Sequence, residues 1–135
     1  MATSQKHINQ WKHNREFLAT IPPRFPDWQV TVAFYVALQA IDALLALDGI
    51  HVTSHEGRNG ALMRTNRYDK IFRAYHPLYN LSQTVRYLAE PQKWIPPHEV
   101  SETVLAKHLY PIEQSVQKLA KLNLDLEYPI KLMSA

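Results

Sequence analysis

Residues 27–48, DWQVTVAFYVALQAIDALLALD, decide the fold. Val30, Ala33, Phe34, Ala37, Leu38, Ile41, Leu44 and Leu45 recur at the three- and four-residue spacing of one helical face. Asp27 is suited to cap the start of that helix, and Gly49 to follow its end. A second apolar stripe, Val32, Val36, Gln39, Ala40, Ala43 and Leu47, lies on the other side. A helix that is apolar nearly all round is buried nearly all round. Two arrangements meet that demand. Either the chain wraps its own central helix, or Val32, Val36, Gln39 and Ala43 form the seam of a homodimer. Gln39 then needs a partner, its symmetry mate or a nearby backbone carbonyl.

The flanks read as shorter helices. Residues 4–20 carry Ile8, Trp11, Phe17 and Leu18, and Pro22, Pro23 and Pro26 then force an extended link. Thr53 and Glu56 have capping-box spacing, so a third helix is expected from about Ser54, weakened by Gly57 and Gly60. A fourth starts near Asn66 and carries Tyr68, Ile71, Phe72, Tyr75, Leu78 and Tyr79; Pro77 is expected to kink or interrupt it. Pro91, Pro96 and Pro97 mark a linker. The last helix, over 98–122, carries Leu105, Leu109, Ile112, Val116 and Leu119 and is expected to bend at Pro111. Residues 123–135 are unpatterned. Trp28 and Trp94, both near prolines, are expected to anchor the linkers to the core. The sum is a single all-α domain over 1–135, an up-and-down bundle of about five helices.

Composition narrows the function classes. A 135-residue chain with 46% hydrophobic residues can bury a core without staples. Only 3 glycines favour helices over turn-rich β structure, and the absence of cysteine excludes disulfides and thiolate metal sites. Residues 1–10 lack the apolar centre of a signal peptide. No apolar run is expected to approach the roughly 20 residues needed to span a bilayer. A cytoplasmic protein without a membrane partner is the expectation. The net charge of +3 is small, but its distribution is uneven. Between residues 57 and 88 the basic residues are Arg58, Arg64, Arg67, Lys70, Arg73 and Arg86, and Asp69 is the only acid. Such a segment draws anions to one face, or is simply a solvated helix surface.

Three groupings could carry chemistry. His55 and Arg58, three apart, share a face at a helix start. With Asn59 they supply a proton carrier and a phosphate grip, the residue types of metal-free phosphodiester cleavage or plain phosphate binding. The alternative is a capping His55 and an Arg58 paired to a nearby acid. His51, His55 and Glu56 fall short of a metal site, because His51 precedes the helix and no fourth ligand is evident. No metal and no cofactor are therefore expected. Arg64, Arg67, Lys70 and Arg73 alternate with Tyr68, Phe72, Tyr75 and Tyr79. The arginines and lysine suit phosphate, while the rings follow the period of a buried stripe and read as core.

Phe34-Tyr35-Val36-Ala37-Leu38, continued by Ala43-Leu44-Leu45, Gly49-Ile50 and Ser54-His55-Glu56-Gly57, resembles the HEPN family pattern over about residues 28–62. That resemblance implies an up-and-down helical bundle, frequently dimeric. Many HEPN members are metal-independent ribonucleases of toxin, phage-defence or CRISPR systems, and others are non-catalytic partners of nucleotidyltransferases. The catalytic members carry an Arg and then a His on the long helix, with four to six residues between them. The matching positions here are Val32 and Gln39, so the pair is missing. The resemblance thus implies a non-catalytic or degenerate RNA- or nucleotide-associated accessory protein, in a defence or toxin–antitoxin setting, with a protein partner such as a nucleotidyltransferase. The alternatives are a metal-independent ribonuclease relocated to His55 and Arg58, and a structural subunit of a larger complex.

Overall fold

A computed structural model, which describes residues 3–87, 96 and 99–133, turns the two-striped segment into α2 (Pro26–Leu47). It begins one residue before the expected cap. Phe25 occupies the N-cap without a side-chain hydrogen bond, and Pro26 opens the helix, where its missing N–H costs nothing. Asp27 instead sits in the first turn, at the positive end of the helix dipole. At the far end Gly49 takes φ 81°, the left-handed conformation that favours glycine.

Both stripes of α2 are buried inside one chain. α1 (Ser4–Leu18) lies along one side. α4 (Asp69–Tyr87), a π-helical segment (Val100–Leu109) and α5 (Tyr110–Ala120) lie against the other faces, and α3 (His55–Met63) packs on α4. The two-fold seam expected at Val32, Val36, Gln39 and Ala43 is therefore corrected. Val36 and Ala43 are fully buried by the chain itself, Val32 is 8% exposed, and Gln39 Oε1 lies 2.7 Å from His7 Nδ1 of α1. The α1–α2 hairpin fills that face, and Gln39 finds a histidine rather than a symmetry mate. In α1, Ile8, Trp11, Arg15 and Leu18 follow the 3-4-3 spacing of a helix laid on a core. Trp28 does not anchor the linker: it is 59% exposed, because the early start of α2 turns Gln29 and Val30 inward instead. Trp94 lies outside the described residues.

Contrary to the expectation from the sequence, α2 is long and apolar enough to cross a bilayer by length and composition, but 78% of its most apolar window is buried in the fold. Among the described residues there is no strand. Ser54, not Thr53, caps α3; its hydroxyl accepts from the Gly57 N–H at 3.0 Å. A 3₁₀ turn (Asn66–Tyr68) leads into α4, which runs on through Pro77 without a break. The bend expected at Pro111 appears as a change of helix type. The wide turns of the π segment end at Leu109, the Tyr110 N–H still reaching back to Leu105 O, and Pro111 falls in the first turn of α5, where no N–H is needed. Lys121 ends α5 in the left-handed region at φ 55°.

Two carboxylates tie the bundle together. Glu113 of α5 is fully buried and accepts from Trp11 Nε1 at 2.7 Å and Arg15 Nε at 2.9 Å, both on α1. Burial pushes the Glu113 carboxyl above the ordinary range, against the pull of Arg15. Arg15 also donates to the Glu127 carbonyl and lies over the Tyr128 ring, so it fastens the C-terminal tail. On the other side of α2, Asp42 receives Arg58 from α3, described next.

Candidate anion-binding groove

α3 places His55 and Arg58 on one face, as their spacing requires, and Arg58 Nη1 lies 3.3 Å from His55 Nδ1. Arg58 turns inward from there. Its Nε donates to Asp42 Oδ1 at 2.7 Å and its Nη2 to Asp42 Oδ2 at 2.9 Å, a two-pronged pair in which Arg58 is only 5% exposed. Burial alone would lower the Arg58 pKa, but Asp42 reverses that and the net shift is upward. The expected grip of Arg58 on phosphate is thus corrected: the fork is occupied, and freeing it would strand a buried carboxylate. Tyr75, fully buried beside this pair, has its hydroxyl pushed up to about 12, chiefly by burial.

The charged form of the His55 ring is disfavoured. Burial lowers its pKa first, and the Arg58 and Arg86 charges lower it further. A guanidinium can only donate, so Nδ1 accepts and the ring proton sits on Nε2. The ring packs on Phe34 and Tyr79, with centroids 5.8 and 5.3 Å away. Arg86 lies over Phe34 and Tyr35, and donates to the Tyr35 hydroxyl at 2.8 Å and to Ser82 O. This corner is a packed ring cluster closed by its own arginines. Asn59 is half-buried and its Oδ1 finds no hydrogen-bond partner. Among the described residues no group of three or more His, Asp or Glu converges to hold a metal ion.

The other flank of α4 is different. Ile71, Tyr75, Leu78, Ser82 and Val85 mark the buried line of that helix. At 100° per residue, Phe72, Tyr79 and Arg86 fall to one side of that line, toward His55, while Lys70 and Arg73 fall to the other. There α4 and α5 run antiparallel and enclose a groove of two adjoining compartments. The inner one, about 340 Å³, is lined by Asn66, Arg67, Asp69, Lys70, Ile71, Arg73, Ser115, Lys118 and Leu119. The outer one, about 450 Å³, shares Lys70, Arg73 and Ser115 and adds Ala74, Lys107, Pro111 and Gln114.

Charge in this groove is of two kinds. Arg67 is occupied: it donates to both Asp48 carboxylate oxygens, at 2.9 and 3.2 Å, and to Leu119 O at 3.2 Å. The Tyr68 hydroxyl donates to the same carboxylate. Although burial opposes it, these partners hold Asp48 below the usual carboxylate range, and burial together with Asp48 raises the Tyr68 hydroxyl to about 12. Lys70, Arg73, Lys107 and Lys118 have no ion pair or hydrogen bond among the described residues. Lys70, Arg73, Lys107 and Lys118 are exposed.

Of the residues singled out in the sequence for phosphate, Lys70 and Arg73 therefore meet in the groove with free charge, and Arg67 reaches it already engaged. Arg64 is exposed at the C-cap of α3 and lines neither compartment. Lys107, Ser115 and Lys118 were not legible as site residues. They lie in a segment whose overall charge is mildly acidic, and only the antiparallel packing of α4 and α5 brings them beside Lys70 and Arg73. Set against protein-family models, curated proteins and solved structures, the chain has no match.

Proposed function

We propose that this protein is a non-catalytic, RNA- or nucleotide-associated helical module of HEPN-like type, which holds phosphate in the groove between α4 and α5. The observation that carries the reading is the set of cations Lys70, Arg73, Lys107 and Lys118, unpaired among the described residues, around one groove whose single described carboxylate is Asp69. Free cations that converge on a groove suit a phosphate backbone, because binding releases the counterions condensed on the strand. The all-α bundle and the Ser54–Gly57 helix start agree with the HEPN resemblance, and an accessory role beside a larger protein partner follows from that resemblance.

The relocated ribonuclease is the weaker reading. It needs Arg58 on the scissile phosphate, and Arg58 is bound to Asp42. A short oligoribonucleotide at low salt tests both. The protein should bind it and leave it intact, and Arg73→Glu with Lys118→Glu should weaken binding roughly tenfold or more. Absence of binding, or cleavage in chelator that is lost in His55→Ala, would refute the proposal.

A further inference from the structure

We infer that the inner compartment is a site for a dianionic phosphate monoester, either the terminal phosphate of a strand or a free small phosphate ester. The inference rests on the groove's being the phosphate-binding face and deepens that reading by naming the end group it selects.

Arg67 bounds one end of the groove. α4 and α5 pair in antiparallel order: Arg67 reaches Leu119, Lys70 and Ser115 line both compartments, and Ala74 and Pro111 line only the outer one. Arg67, which spans from Asp48 to the Leu119 carbonyl, crosses the groove where α4 starts and α5 ends. A strand that enters past Lys107 therefore runs into a stop, and its end lies in the inner compartment. The Arg67 guanidinium also covers a carbonyl at the C-terminal end of α5, which would otherwise repel an anion there.

Charge and size fit an end group. Lys70, Arg73 and Lys118 are the free cations of the inner compartment, and Asp69 is its carboxylate. The surplus of two positive charges matches a monoester dianion better than the single charge of a backbone diester. The Ser115 hydroxyl and Asn66 amide add neutral donors. Ile71, almost wholly buried, and Leu119 supply an apolar wall for the ring or chain that carries the phosphate. A volume of about 340 Å³ falls within the range of small-molecule sites.

The experiment compares one short oligoribonucleotide in three forms, with a 5′-phosphate, a 3′-phosphate or hydroxyls at both ends, by fluorescence anisotropy on the full chain. A nucleoside monophosphate and inorganic phosphate serve as competitors. One phosphorylated form should bind roughly tenfold tighter than the hydroxyl form, as a charge-assisted contact allows. That advantage should vanish in Lys118→Ala and persist in Lys107→Ala, whose lysine belongs to the outer compartment. Both lysines are exposed, and a melting curve checks that each variant folds. Displacement of the strand by nucleoside monophosphate at comparable concentration assigns the site to free esters. Displacement only by a phosphorylated strand assigns it to chain ends. Equal binding of all three strands with no competition by the monophosphate overturns the inference and leaves the proposed function standing, as does a preference that survives Lys118→Ala. No binding by any strand or ester overturns both.

Discussion

Arg58 and Arg73 belong to the same basic run of sequence, and the fold puts them to opposite uses. Arg58 is buried against Asp42, with its fork filled by both carboxylate oxygens. Arg73 stands at a groove with Lys70, Lys107 and Lys118, where Asp69 is the only acid among the described residues. Both add one to a count of basic residues, and only one is available to a ligand. Burial decides: a charge inside the bundle must be paired before the chain can fold, whereas a charge at its rim can wait for a partner.

The comparison breaks most visibly at the buried pair. Asp42→Ala would leave the Arg58 guanidinium enclosed without its anion, and should cost about 3–5 kcal/mol in chemical denaturation. A loss below about 1 kcal/mol would mean that Arg58 can swing to solvent and is open to phosphate after all. Charge reversal at the rim should do the reverse. Arg73→Glu with Lys118→Glu should weaken oligoribonucleotide binding roughly tenfold or more at low salt and leave the melting temperature nearly unchanged. Arg67→Ala lies between the two, since the pair with Asp48 is partly exposed; its melting temperature should fall far less than that of Asp42→Ala.

His55 sharpens the comparison through pH. Its folded pKa lies below the ordinary 6.5, because burial and then Arg58 and Arg86 disfavour the charged ring. The unfolded chain therefore takes up the proton first. Stability is at its fullest above the unfolded histidine range and declines as pH falls through it. Burial and Lys107 shift His108 in the same direction, so His55→Gln should flatten only part of the decline in melting temperature between pH 7.5 and 5.5. An unchanged profile would show that its surroundings do not disfavour the charged His55 ring.

Much of the fold was legible because α2 announces itself. Two apolar stripes on one helix demand cover on both sides, and a glycine in the left-handed region marks its end. What covers the second stripe was not legible. Wrapping by α1 and pairing with a second copy make the same demand on Val36 and Ala43, and the His7–Gln39 contact joins residues 32 apart in sequence. The site was half legible for a similar reason. Lys70 and Arg73 stand out in a segment poor in acids, but Lys107 and Lys118 are diluted among Glu99, Glu102 and Glu113. Glu113 is removed from the surface by Trp11 and Arg15, which no count of charges along the chain could register.

The salt dependence of oligoribonucleotide binding tests the free-cation groove most directly. The slope of log K against log salt should be reproducible for the natural chain and should shrink by about 1.4 in the Arg73→Ala, Lys118→Ala double variant, the value for two lost contacts to a single strand. A slope that the double variant leaves unchanged would place the phosphates elsewhere and contradict the account.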